Sequence, residues 1–265
     1  MSVFMAEETK TLVLEGTPEL FYRCWQPRGQ ARGAVLLVHG VSEHSGRYGH
    51  VGEFLASRGL SVHAYDQRGH GRSGGRVGWV EKFDDFLDDL AAVHAYVRER
   101  SAGLPLFLLG HSMGGLIVTA YLLERPAKPD FVVLSGPAIV PILDPKGRTI
   151  DPSRLSRDPE VQRAYMDDPL VLRERVSDEL FLRLADGLGY LVGRGDEIRL
   201  PLLLIQGSDD LLCSAEGNAA YLGGVSDRRT IKIYPEGRHE MFNETNREQV
   251  LADLWQWMEA RLAAN

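Results

Sequence analysis

Short runs of β-forming residues alternate with amphipathic stretches along most of this chain. That rhythm restricts it to a mostly parallel sheet with helices on both faces. Residues 11–14 and 20–25 suit an opening pair of strands around the turn Gly16-Thr17-Pro18. The alternation then begins: residues 34–39 are a continuous apolar strand, 48–58 a helix closed by Gly59, 60–65 a strand and 82–100 a long helix. In that helix Phe83, Phe86, Leu87, Leu90, Val93 and Val97 recur at spacings of three and four, which places them on one face. A strand at 106–109, a helix at 113–124 and a strand at 131–134 follow. Strands at 202–205 and 229–234, with helices at 215–222 and 247–262, bring the expectation to about eight strands.

Between residues 138 and 199 the strand rhythm stops. Pro137, Pro141 and Pro145 open this stretch, Arg157-Asp158-Pro159 interrupts it, and helical periods run over 160–166 and 177–188. The division expected is a core from 1–137 and 200–265 carrying a cap inserted at 138–199. Open α/β sheets place ligands outside the carboxyl ends of their strands, so a cap belongs at that edge.

A length of 265 residues suits one large α/β domain with an insertion, and 44% hydrophobic with 25% charged residues excludes a disordered chain. Thirty Lys plus Arg against 37 Asp plus Glu leave a net charge of −7, spread along the chain, so no basic face is available for nucleic acid. Cys24 and Cys213 lack metal or redox spacing, which suits a reducing compartment. The first ten residues include Glu7 and Glu8 and do not read as a signal peptide, and no apolar run approaches the ~20 residues of a membrane helix. A cytoplasmic protein is expected.

The strongest chemical signal is Gly110-His111-Ser112-Met113-Gly114, a Gly-x-Ser-x-Gly sequence between an expected strand and an expected helix. A nucleophilic serine must project from a sharp turn, so small residues are needed on both sides, with Ser112 in the strained position at the apex. The Met113 amide then opens a helix, where an unpaired donor can hold a developing oxyanion. A second donor is expected from the loop after residues 34–39, where Gly40 lets the chain turn the Val41 amide toward the site.

A serine nucleophile needs a base and an orienting acid, which follow it in the order Ser, Asp or Glu, His in this kind of fold. His239 is the only histidine after Ser112, and it follows an expected strand. Asp209 and Asp210 both follow the strand at 202–205, and spacing alone does not choose between them.

Other motifs carry less. Residues 66–75 are glycine-rich but lack the Gly-Lys-Ser/Thr ending of a phosphate loop, so a tight loop beside the site is expected rather than a nucleotide. Asp84, Asp85, Asp88 and Asp89 read as the solvated face of their helix. His239-Glu240 opens like a zinc-protease motif, but Asn243 stands where the second histidine is required. No metal or other cofactor is expected. Trp255 and Trp257 cannot both face the core of one helix.

Taken together, His39-Gly40-Val41-Ser42-Glu43-His44-Ser45-Gly46-Arg47-Tyr48, Gly69-His70-Gly71-Arg72-Ser73, Gly110 through Gly115, Tyr165 with Asp167-Asp168-Pro169-Leu170, and Gln206-Gly207-Ser208-Asp209-Asp210 carry a resemblance. It covers nearly the whole chain. The sequence resembles the α/β-hydrolase fold and, within it, the monoacylglycerol lipase and lysophospholipase group. The resemblance implies Asp210 as the acid, since the family motif reads Gly-Ser-x-Asp. It also implies an oxyanion hole of the Val41 and Met113 amides, and Glu43, Arg47, His111 and Tyr165 near the glycerol end of the pocket. For Arg47 a buried ion pair holding the first loop is the structural alternative.

One departure concerns the cap. Only about eleven residues, 139–149, fill an interval that in the family holds an apolar helix, leaving Ile139, Val140, Ile142 and Leu143. A wider entrance and at most peripheral membrane contact are expected. The activity expected is cleavage of monoacylglycerols or similar small lipid esters through an acyl-enzyme. Broad esterase, thioesterase or amidase activity on the same triad is the alternative, and a non-catalytic small-molecule receptor is a more distant one.

Overall fold

The structure is a computed structural model that describes residues 4–142, 150–223 and 227–263. Its elements in chain order are β1 (Phe4–Leu12), β2 (Leu20–Pro27), β3 (Gly33–Val38), α1 (Gly49–Ala56), β4 (Leu60–Tyr65), α2 (Asp84–Arg100), β5 (Leu106–His111), α3 (Met113–Glu124) and β6 (Phe131–Ser135). They continue with α4 (Pro159–Asp167), α5 (Asp178–Gly189), β7 (Leu202–Gly207), α6 (Ala215–Tyr221), β8 (Arg229–Tyr234) and α7 (Arg247–Leu262). The eight strands form one sheet in the order β1-β2-β4-β3-β5-β6-β7-β8. β1–β2 and β2–β4 pair antiparallel, and the remaining neighbours pair parallel.

The continuous apolar runs have a direct cause. Every residue of β3, β4, β5, β6 and β7 is buried, because parallel strands are covered on both faces. Alternate side chains go to opposite sides. Leu36, Leu108, Leu134 and Leu204 pack with Phe86 and Leu90 of α2 and Ile117 of α3, whereas Val35, Leu37, Leu109 and Ile205 pack with Leu55 of α1 and Leu254 of α7.

Two expectations need correction. The first strand runs over Phe4–Leu12 rather than 11–14. It is an edge strand whose Glu7–Lys10 stretch is exposed, so it carries no apolar alternation to betray it. The acidic face of α2 is not simply solvated. Asp89 is fully buried and takes a two-pronged hydrogen bond from Arg68 at 2.6 Å on each oxygen. Asp84 and Asp88 meet Arg125 at 3.0 and 2.7 Å. The tryptophan pair divides as expected: Trp257 is buried and donates to Thr230, and Trp255 lies between Arg32 and Arg58 at the rim.

The stretch between β6 and β7 carries α4 and α5, both started by side-chain caps. Asp158 accepts from the Glu160 amide with Pro159 in the first turn, and Ser177 accepts from the Leu180 amide. It is fastened to loops leaving the carboxyl ends of β3, β4 and β8 by Leu172 N to Ser42 O at 2.8 Å, Ser177 N to Gly78 O at 2.9 Å and Glu240 N to Leu155 O at 2.8 Å. Of the interval 139–149, Leu143, Pro145 and the rest of 143–149 lie outside the described residues. Among the described residues no helix is long and apolar enough to cross a membrane. Cys24 and Cys213 are both free and buried.

Candidate active site

The turn from β5 into α3 places Ser112 at φ 52° and ψ −120°, a conformation few non-glycine residues adopt. The turn is held on both sides: Ser112 N donates to Ser135 O at 3.1 Å, and Ser112 O accepts from Ala138 N at 3.0 Å. Gly114 has no substitute here, since a Cβ would stand 2.1 Å from the Val38 oxygen. Met113 begins α3, and first-turn amides have no carbonyl partner within their own helix. Ser112 is 9% exposed.

His239 and Asp210 come from the loops after β8 and β7, at the same edge of the sheet. His239 Nδ1 donates to Asp210 Oδ2 at 2.9 Å. The other Asp210 oxygen accepts from the amides of Leu212 at 2.8 Å and Cys213 at 3.0 Å. Asp209, the other aspartate left open by spacing, is exposed and takes a hydrogen bond from Ser208. Burial favours the neutral imidazole of His239, but the Asp210 carboxylate outweighs it and raises the group above its ordinary value. The Asp210 carboxyl is held below its ordinary value: burial pushes it up, and His239 with the two backbone amides more than reverses this.

Two residues around Asp210 escaped the sequence reading. Gln206, at the end of β7, donates to Asp210 Oδ2 at 2.9 Å. Asn218 of α6 donates to the Gln206 side-chain oxygen at 2.9 Å, which fixes the orientation of that amide. Both are fully buried. Gln206 stands in the motif that was noticed, but nothing in the spacing marks Asn218.

The loop after β3 packs against Ser112, since a Cβ on Gly40 would stand 3.0 Å from the Ser112 Cβ. His39 Nε2 accepts from the Gln67 amide at 2.9 Å, so its Nδ1 carries the proton and donates to Gly40 O at 2.7 Å. Gly40 N donates to Glu43 at 2.6 Å. Val41 follows, half-buried.

The four residues expected near the glycerol end are brought to this edge, though with different exposures of their polar groups. Glu43 is 2% exposed and also accepts from Tyr48 at 2.6 Å and Arg47 at 2.9 Å. Arg47 turns to Glu240, next to His239, with contacts of 2.5 and 2.7 Å. Its guanidinium lies 5.0 Å from the centre of the buried Tyr165 ring. The His111 ring lies 4.8 Å from the His239 ring, tilted by 54°, and its Nδ1 donates to Ser135 O at 2.9 Å. Burial, and the neighbouring His239, press His111 below its ordinary pKa and keep it neutral.

Asp210, Cys213 and His239 are the group among the described residues whose ligating atoms lie within 4.8 Å of one another. Burial pushes the Cys213 thiol well above its usual value, so it stays protonated, and Asp210 and His239 already share a hydrogen bond. The donor set therefore suits proton transfer better than metal binding.

The family described as serine aminopeptidase, S33, matches residues 29–246. A monoacylglycerol lipase of Mycolicibacterium smegmatis is 34% identical over 267 residues, covering 93% of this chain and 95% of the relative. The human monoglyceride lipase is 32% identical over 272 residues, covering 92% of this chain and 88% of its own. A soluble variant of the Saccharomyces cerevisiae monoglyceride lipase, solved with a substrate analog, superposes with a TM-score of 0.84 at 22% identity, covering 97% of this chain and 96% of that one.

Proposed function

Because the chain belongs to the serine aminopeptidase S33 family and has the α/β-hydrolase fold of a serine ester hydrolase, we propose that it cleaves monoacylglycerols to fatty acid and glycerol at Ser112. Ser112 Oγ attacks the ester carbonyl while His239 Nε2 takes its proton. The tetrahedral oxyanion is held by the amides of Val41 and Met113, a contribution of about 3–4 kcal/mol per donor in comparable sites. His239 then passes the proton to the departing glycerol oxygen, and Asp210 stabilises the imidazolium throughout. Water, deprotonated by the same imidazole, releases the fatty acid.

The observation that carries this reading is the 2.9 Å Asp210–His239 hydrogen bond, buried at the sheet edge that also presents Ser112 on its strained turn. The substrate class rests on the near-full-length likeness to monoacylglycerol lipases. His111 and Tyr165 are assigned to the wall facing the alcohol. An aminopeptidase must also hold an α-ammonium. The two further carboxylates that bear on His239, Glu43 and Glu240, already face Arg47. Residues 138–199 form the cap in this account, and its shortness favours a broad range of acyl chains.

A panel of mono-, di- and triacylglycerols of varied chain length, with an amino-acid p-nitroanilide beside it, tests the reading. The expected result is preference for monoacylglycerols, lost in Ser112→Ala. Preference for the anilide would overturn it.

A further inference from the structure

Glu43 and Arg47 were placed near the glycerol end by resemblance, yet their charged ends face other protein groups. Glu43 Oε1 accepts from the Gly40 amide and the Tyr48 hydroxyl, both at 2.6 Å. Glu43 Oε2 accepts from Arg47 at 2.9 Å, and Arg47 grips both oxygens of Glu240 at 2.5 and 2.7 Å. Asn243 donates to Glu240 Oε2 at 2.9 Å, completing the chain. The three charged side chains are 3%, 9% and 4% exposed, in the order Glu43, Arg47, Glu240.

The geometry at Gly40 gives this chain a task. Glu43 holds the Gly40 amide and His39 holds the Gly40 carbonyl at 2.7 Å, so the peptide between Gly40 and Val41 cannot rotate freely. In a trans peptide the C=O and the next N–H point in opposite directions. A carbonyl turned toward His39 therefore turns the Val41 N–H the other way. At its far end the chain terminates on the residue next to His239.

We infer that Glu43, Arg47 and Glu240 are positioning residues that lock the Val41 amide and tie its loop to the loop bearing His239, and that they are not ligands of glycerol. The inference rests on the proposed Ser112 mechanism and names what keeps its oxyanion donor and its base in register. Two carboxylates around one guanidinium leave a net negative charge beside His239. This adds to Asp210 in favouring the imidazolium, with His111 as the neutral group on the other side. The Glu43 carboxyl is itself held well below the usual range: burial opposes ionisation, and the Arg47 guanidinium with the Tyr48 hydroxyl overrides it.

The test compares Glu43→Gln and Glu240→Gln with the parent protein on a monoacylglycerol and on p-nitrophenyl butyrate, which has no glycerol. A displaced donor or base costs about 10- to 100-fold in rate. The expected result is a fall in kcat of that size for Glu43→Gln and a smaller one for Glu240→Gln. Both should appear on both esters, with KM within about twofold and the acid limb of kcat/KM moved to lower pH. Loss confined to the monoacylglycerol and expressed in KM would instead make these residues glycerol ligands and overturn the inference. Unchanged kcat with a lowered Tm would also overturn it, leaving only a structural role. If Glu43→Gln does not fold, Glu240→Gln and its combination with Arg47→Met decide. The two changes should be non-additive, and additive effects contradict the chain. Ser112→Ala runs alongside: an inactive Ser112→Ala with fully active glutamine variants sinks the inference alone, whereas an active Ser112→Ala sinks the mechanism beneath it.

Discussion

The turn that carries Ser112 and the stretch between β6 and β7 are held by different balances of packing and polar contacts. Ser112 rests on parallel strands whose residues are all buried, and α3 behind it buries ten of its twelve residues. The stretch between β6 and β7 has one small cluster of its own, Leu155, Tyr165 and Val171. Leu172, Val176, Leu180, Leu191 and Ile198 of the same stretch join the large core cluster, and capped helix ends with polar fasteners, such as His44 Nε2 to Asp168 at 2.8 Å and Arg157 to Glu244 at 3.1 Å, add to this. Packing fixes the geometry at the serine, whereas the stretch between β6 and β7 combines core packing with polar contacts that can be replaced one at a time. A fold built this way can keep its chemistry while changing what it admits.

The sharpest way to break the comparison is at Gly114. An alanine Cβ would stand 2.1 Å from the Val38 oxygen and 2.6 Å from the His39 oxygen, both backbone atoms within the packed centre. Gly114→Ala should cost more than about 3 kcal/mol, a fall in Tm of roughly 6–12 °C in a thermal melt. An unchanged melt would show that the turn can relax.

Acid probes the same centre more gently. Burial lowers His63 and His70 to about 4, and His94 also to about 4, so the folded protein refuses protons that the unfolded chain accepts below its ordinary value near 6.5. Stability from these groups is complete above about pH 6.5 and is lost as pH falls toward 4. His239 moves in the opposite direction, so turnover should decline first, with an acid limb above about pH 6.5. Melts and kcat/KM measured from pH 8 to 5 check the order. A protein that unfolds before its activity falls would contradict it.

The smallest effect belongs to the fastened stretch. Asp168 is 26% exposed, so losing its contact with His44 in Asp168→Ala should cost at most about 1 kcal/mol. KM for monoacylglycerols should shift a few-fold while kcat stays within about twofold. A collapse in kcat would mean that this stretch shapes the chemistry as well.

The same division explains what could be read from sequence. The strands of the centre are apolar runs, and α3, β8 and α7 fall at the expected residues. Ser112, Asp210 and His239 stand at strand ends, where spacing and resemblance could find them. Burial of charge was not legible, because Asp89 looks like a solvated helix residue until Arg68 arrives from a distant loop. Glu240 was visible only as half of a metal motif, and its partner Arg47 lies 193 residues away. Edge strand β1 was misplaced because its pattern answers to solvent rather than to a core. Pairings between remote polar residues leave no period in a sequence.

The central claim is that Ser112 is the nucleophile, and a covalent label tests it most directly. Peptide mass spectrometry after treatment with a fluorophosphonate should place a single adduct on Ser112, with loss of monoacylglycerol hydrolysis in proportion to labelling. An unlabelled Ser112 in a protein that still hydrolyses the ester, or inactivation through an adduct elsewhere, would contradict the account.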